Sequence, residues 1–163
     1  MIDAPPPVHP WPIGVGTRFQ PGASSTRANT GRPIGVLRCA ASGREFRVHL
    51  ELFAQRKVIV VPSGIGVAKS GCRYPLRTAT PTGVVHVDAT RPRRLGDLFA
   101  VWGRRLDRDR LLSFDGRVSV FVDGRRWAGD PRTLRLRRHQ QIVVEVGPYV
   151  APHPSFLFPK GTG

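Results

Sequence analysis

The sequence predicts an α+β fold, a β-rich sheet with one main helix across it, of β-grasp-like form. Three observations carry that expectation. Short segments of alternating apolar and polar residues recur on both sides of a single stretch with helical periodicity. Gly, Pro and Asp-Gly signals punctuate them at short intervals. The resulting order is hairpin, strand, helix, hairpin, strand, with no internal repeat.

Residues 1–35 lack periodicity and are rich in Pro, Gly, Ser and Thr, so they read as a flexible N-terminal arm ahead of one globular domain over residues 36–161. Within the arm, residues 5–12 favour polyproline II and residues 21–30 (PGASSTRANT) a flexible linker. Val8, Trp11, Ile13 and Phe19 are apolar residues available to dock onto the body or a partner. The first strand of the body is the alternation of Phe46, Val48, Leu50 and Leu52 with Arg47, His49, Glu51 and Phe53. A polar break at Gln55 and Arg56 leads into a second strand over residues 57–61, so the pair reads as a hairpin ended by Pro62, Gly64 and Gly66. Residues 84–88 (VVHVD) form another short strand.

Leu95, Leu98, Phe99, Trp102 and Leu106 fall on one helical stripe after Pro92, and Gly103 weakens or ends the last turn. Val118, Val120 and Val122 form a strand face, and Asp123-Gly124 turns the chain into residues 125–128. Gly129-Asp130-Pro131 is a second turn. Leu134 and Leu136 then alternate with Arg135 and Arg137, and residues 142–146 (IVVEV) are the last strand. The tail from Gly147 carries Tyr149, Phe156, Leu157 and Phe158 among four prolines and is expected to pack back.

The formal net charge is +15, and 23 of the 26 basic residues are Arg. Such a charge suits nucleic acid, anionic lipid or acidic polymers, although the Arg excess over Lys also fits GC-rich codon usage. The candidate polyanion surface is Arg91, Arg93 and Arg94 ahead of the helix, Arg104 and Arg105 after it, and Arg135, Arg137 and Arg138 near the last strands. Arg135 and Arg137 share one strand face. Trp127 is the one large ring near these arginines outside the helix stripe, which leaves single-strand stacking without a platform.

No run approaches 18 apolar residues, so no membrane span is expected. The proline-rich start offers no signal peptide, which leaves a cytoplasmic protein or an export signal upstream. Gly14/Gly16 and Gly64/Gly66 complete neither a dinucleotide fingerprint nor a phosphate loop. Ser113 and Ser119 stand in no nucleophile elbow, and Asp107 and Asp109 alternate with Arg108 and Arg110 as a solvated charge run. The inventory favours a non-enzyme and implies no cofactor.

Several strings together resemble a bacterial, mostly exported domain family without an assigned function. Its first motif reads roughly H-V-H-A-H-L, then P-A-G-I-G-I; here Glu45-Phe46-Arg47-Val48-His49-Leu50 is followed by Pro62-Ser63-Gly64-Ile65-Gly66-Val67. Its C-L-Y-W-L-H-T-H-D motif is similar to Cys72-Arg73-Tyr74-Pro75-Leu76-Arg77-Thr78-Ala79-Thr80, leading to His86 and Asp88. Leu95–Gly103, the Asp130-Pro131-Arg132 turn and Phe158-Pro159-Lys160-Gly161 match further family strings. In that family the strand histidines, at every second position, make sense as a metal face. Here Glu45, Arg47, Arg77, Ala79 and Thr80 replace five of its histidines and aspartates, leaving His49 and His86 with Glu45 and Asp88 as remnant candidates. An Arg beside His49 repels a cation, so ion pairing along this face is the stronger expectation and no metal is implied.

Cys39 and Cys72 also stand at positions that match the family, 33 apart, with no Cys-x-x-Cys. A disulfide between them is the preferred reading in an oxidising compartment, and two buried thiols are the alternative in a reducing one. The resemblance implies a non-catalytic, extracytoplasmic interaction domain with a degenerate metal site. The charge supports the alternative, a basic polyanion-binding module, and neither reading names a specific partner.

Overall fold

The computed structural model describes residues 25–160. The proline run of the arm and the apolar Val8, Trp11, Ile13 and Phe19 therefore lie outside the described residues.

Strand β1 (Glu45–Ala54) is the centre of the sheet. It turns through Gln55 and Arg56, both at positive φ, into the short antiparallel β2 (Lys57–Ile59). The first half of β1 pairs antiparallel with β4 (Val84–Asp88), which pairs in turn with β3 (Leu76–Thr78). The chain then crosses through α2 (Leu95–Trp102), passes the small hairpin of β5 (Arg110–Leu111) and β6 (Phe114–Asp115), and enters the hairpin of β7 (Val118–Val122) and β8 (Arg125–Trp127). The last strand, β9 (Gln141–Val146), lies parallel to β1 and antiparallel to β7. A first and a last strand paired in parallel at the centre, flanked by antiparallel hairpins and crossed by one helix, is the β-grasp-like arrangement the sequence predicts. The seven-stranded sheet runs β3-β4-β1-β9-β7-β8, with β2 also on β1.

The two-residue period of the strands sorts the sheet into two faces. Phe46, Val48, Leu50, Leu52 and Ala54 of β1 join Val85, Val87, Val120, Ile142 and Val144 against Leu95, Leu98, Phe99 and Trp102 of α2 in the main core. The other face holds a small second core of Phe53, Phe121, Val143 and Val150, the last from the C-terminal tail. The expected return of the tail is thus present, on the side away from the main core.

Several elements differ from the sequence reading. α2 ends at Trp102, one of the two outcomes left open at Gly103, which takes φ 72° with its N–H bonding back to Ala100 and Phe99, so that only the stripe's last member, Leu106, falls outside the helix. Leu106 follows the helix, yet it is buried in the same core, which explains how it extends the apparent stripe. Leu134–Leu136 is extended but forms one bridge, Arg94 to Arg135, rather than a strand. β3, β5 and β6 are too short for alternation to reveal. Within the stretch read as linker, Thr26–Thr30 forms helix α1, capped by Ser25 accepting from Ala28 N–H.

Cys39 and Cys72 form a disulfide, with Cα atoms 5.5 Å apart. Ala28 of α1 is fully buried, and a Cβ on Gly31, just past α1, would fall 3.0 Å from Cys72 Sγ. The Tyr74 hydroxyl donates to the Arg32 carbonyl beside it. The cross-link thus ties α1 and the start of the body to the segment entering β3. Closing a loop of 33 positions stabilises the fold by about 3–4 kcal/mol in the chain-entropy model. The Cys39→Ser/Cys72→Ser variant is accordingly expected to lose about 3 kcal/mol in urea unfolding under oxidising buffer, and to match the wild-type chain once reductant is added.

Candidate functional site

The polar residues of β1 all lie on the face opposite the main core. Glu45, Arg47, His49 and Glu51 stand at alternate positions, with Arg47 opposite His86 of β4 and Glu45 opposite Asp88. Glu45 is the hub at one end. Arg77, from β3, reaches across β4 and donates to both of its oxygens at 3.1 and 3.0 Å, and His86 Nδ1 donates to Oε1 at 2.8 Å. Burial pushes the Glu45 pKa up, but the His86 hydrogen bond and the Arg77 charge outweigh it, so the net shift is downward. Burial, aided by the charges of Arg77 and Arg47, likewise holds His86 below the ordinary histidine range against the pull of Glu45. The space left among these residues and Asp88 is about 10 Å³, at the threshold for a single water.

Asp88 closes the corner beside this hub. Its Oδ2 accepts from the Ser42 N–H and hydroxyl, both at 2.8 Å, while Oδ1 accepts from the Thr90 N–H at 2.9 Å and from the Thr90 hydroxyl. Burial opposes ionisation, yet these four donors hold its pKa at about 2. Arg93 Nη2 stands 3.9 Å away.

His49 occupies the middle of the face and is 6 % exposed. Nε2 donates to the Thr82 carbonyl at 2.8 Å, and Nδ1 faces Gln141 Oε1 at 2.6 Å. The Gln141 amide nitrogen donates to Glu51 at 2.6 Å, which turns its oxygen toward His49. Gly83 makes this approach possible. Its φ is +81°, and a Cβ there would fall 2.3 Å from the Leu50 carbonyl and 3.1 Å from His49 Nε2. The C-terminal tail then covers the ring. Phe156 stacks on His49 with centroids 3.7 Å apart, Phe158 stacks on His139 at 4.7 Å, and His153 pairs with Glu51 at 2.9 Å. Beneath Val150 of the same tail, Glu145 is 2 % exposed and accepts the Val150 N–H at 3.2 Å, and among the described residues its Oε2 has no donor.

Each remnant metal candidate is therefore bound into the protein's own network: Glu45 and His86 to each other and Arg77, His49 at both nitrogens, Asp88 at both oxygens. Among the described residues no group of three or more His, Cys, Asp or Glu is arranged to hold a metal ion.

The arginines divide by place. Arg93–Leu95 and Leu134–Leu136 run antiparallel, with Leu95 N–H donating to Leu134 and Leu136 N–H to Arg93, both at 2.8 Å, so Arg94 lies directly opposite Arg135. Arg91, Arg94, Arg135, Arg137 and Arg138 are exposed, and none has a carboxylate within ion-pair distance among the described residues. Arg93 is mostly buried beside Asp88, Arg104 is half-buried, and Arg105 pairs with Asp107 at 3.0 Å. Five of the eight sequence candidates thus present a free charge. A second gathering, of Arg108, Arg117 and Arg126 around Trp127, was outside the sequence reading, since its members come from three separate segments. The exposed alternation of Arg126 beside Trp127 was the one available signal.

Compared with protein-family models, curated proteins and solved structures, the chain matches none of them. The family resemblance rests on its motifs.

Glu145 supplies a direct test of this face. Burial raises its pKa above the ordinary carboxyl range, so its contribution is fully present below that range and is lost as pH rises through the raised value. Glu145→Gln is expected to stabilise the fold at pH 7 by on the order of 1 kcal/mol. The gain should fade in thermal unfolding scans as pH falls through the carboxyl range. A gain that is independent of pH would show that ionisation is not its cause.

Proposed function

We propose that this chain is a non-catalytic interaction domain of an oxidising, extracytoplasmic compartment. The Cys39–Cys72 disulfide carries the reading, because such cross-links persist where thiols are not held reduced. Support comes also from the Glu45–Arg77–His86 network, which stands where the resembling family carries histidines and fills that place with ion pairs. A degenerate metal site of this kind is a structural joint. It lends rigidity to β1, β3 and β4 and offers no nucleophile or open ligand position. No helix among the described residues is long and apolar enough to cross a membrane. The test is intact mass of the protein alkylated at once on lysis of its native cell. The expected mass is that of the unmodified disulfide form, recovered outside the cytoplasmic membrane; a doubly alkylated cytoplasmic species would sink the reading.

A specific observation favours a polyanion as the partner. Like charges directly opposite each other across two paired segments destabilise them, yet Arg94 faces Arg135 with Arg91, Arg137 and Arg138 exposed close by in the chain. A polymer with regularly spaced anions relieves that repulsion and releases its own counterions on binding. Against long-chain polyphosphate and against a thymidine oligonucleotide, affinity is expected to fall steeply with added salt. Arg94→Glu/Arg135→Glu should flatten the log–log slope by about 1.5–2. An affinity insensitive to salt contradicts the reading, and a preference for one polymer tells which anion spacing fits.

A further inference from the structure

The gathering of Arg108, Arg117 and Arg126 lines a cleft of about 390 Å³, within the range of small-molecule sites. Its construction follows from where β8 stops. β8 pairs with β7 only over Val120–Val122, which leaves the outer edge of β7 uncovered at Val118 and Ser119. The Val118 N–H turns outward to the Arg108 carbonyl at 2.9 Å, so the 108–109 segment forms one wall. Trp127, at the end of β8, forms the other. The indole is seated by Gly129, where a Cβ would fall 2.2 Å from its Cη2 atom. No side chain but hydrogen fits at 129 while the ring keeps this position.

The charges in the cleft are out of balance. Three arginines line it with one acidic residue, Asp109, while just outside the lining Asp130 feels the charge of Arg108 and Glu145 that of Arg126. Arg108, Arg117 and Arg126 are exposed, and none lies within ion-pair distance of an acid among the described residues. Guanidinium forks match phosphate oxygens with paired, charge-assisted hydrogen bonds. The indole beside them, seated on Gly129 and packed against the main core, adds an apolar wall that a sugar or base ring can pack against. We propose that this cleft is a binding site for a phosphorylated ring compound of about sugar-phosphate or mononucleotide size. Trp127 packs the ring, and Arg108, Arg117 and Arg126 hold the phosphate. The cleft shares no lining residue with the Arg91–Arg94 and Arg135–Arg138 segments, so it stands or falls apart from the polyanion reading.

Titration calorimetry on the oxidised full chain tests it, with glucose 1-phosphate, adenosine 5′-monophosphate, glucose and inorganic phosphate as probes. At least one phosphorylated ring should bind saturably and about tenfold or more tighter than glucose or phosphate alone, the scale of a charge-assisted hydrogen bond. Preference for glucose 1-phosphate assigns a sugar phosphate, and preference for the nucleotide assigns a base-bearing ligand. Arg117→Glu/Arg126→Glu should weaken binding by about tenfold or more, whereas the equal charge change Lys57→Glu/Lys69→Glu, away from the cleft, should not. Amide chemical-shift changes in the wild-type chain, which need no variant to fold, should cluster at residues 108–109, 117–120 and 126–129. Binding by neither ring compound, equal binding of inorganic phosphate, wild-type affinity in the arginine variant, or shifts centred elsewhere would each overturn the proposal.

Discussion

Strand β1 places four ionisable side chains on one face at the middle of the sheet, and the hydrogen bonds of three of them, Glu45, His49 and Glu51, draw in the elements around them. A charged group taken from water without partners costs several kcal/mol, more than a domain of this size can lose often. Glu45, Arg47, His49 and Glu51 cannot turn away, because the two-residue period commits the alternate positions to the main core. The partners of Glu45, His49 and Glu51 therefore come from several elements: Arg77 from β3, His86 from β4, Gln141 from β9, the Thr82 carbonyl from the turn before β4, and His153 from the tail. Removing one partner leaves another buried group unmatched, which makes the face a single coupled unit.

The tail takes its path from the same constraint. It has no regular hydrogen-bonding ladder to hold it, and it docks through side chains instead: Val150 on the second core, His153 on Glu51, Phe156 on His49 and Phe158 on His139. The stack on His49 excludes water from a hydrogen-bonded imidazole, which strengthens the bonds to Thr82 and Gln141. Glu145 is the weak point of this arrangement. One of its oxygens is buried with no donor among the described residues, where the tail crosses above it with the Val150 N–H directed downward.

Alternation made β1 and β7 legible in the sequence, since each buries one face against the helix side, whereas β9, with Val143 in the second core, was legible as a short apolar run. The Asp123-Gly124 turn was legible for the same local reason. Gln55 and Arg56 form an equivalent turn with both residues at positive φ, but neither residue type announces it. The β1 face was legible as a charged row, and its ion pairing as an expectation. What no local pattern contained was the reach of Arg77 across β4 to Glu45, or the choice of Phe156 as the cover for His49, 107 positions away in the chain. Those depend on register and on a tail without periodicity. α1 escaped because five residues give too few positions for a helical stripe, and its stability comes from Ser25 and from burial of Ala28 beside the disulfide.

The sheet face also decides what remains for the surface. All three glutamates of the chain, Glu45, Glu51 and Glu145, lie on it, as does Asp88. Four of the 11 acidic residues are therefore engaged inside, by His86, Arg77, His153, Gln141, the Ser42 and Thr90 hydroxyls and the backbone, and of the exposed arginines Arg126 alone is seen to act on one of them, Glu145, among the described residues. Asp107, Asp115 and Asp130 are taken by the neighbouring Arg105, Arg110 and Arg132. Few acids are left to meet Arg91, Arg94, Arg135, Arg137 and Arg138, or the three arginines of the cleft. Self-repulsion among like charges weakens a compact state, and here it is concentrated rather than dispersed. The face that consumes the carboxylates thus leaves Arg91, Arg94, Arg135, Arg137 and Arg138 with no acid of the described residues within ion-pair distance.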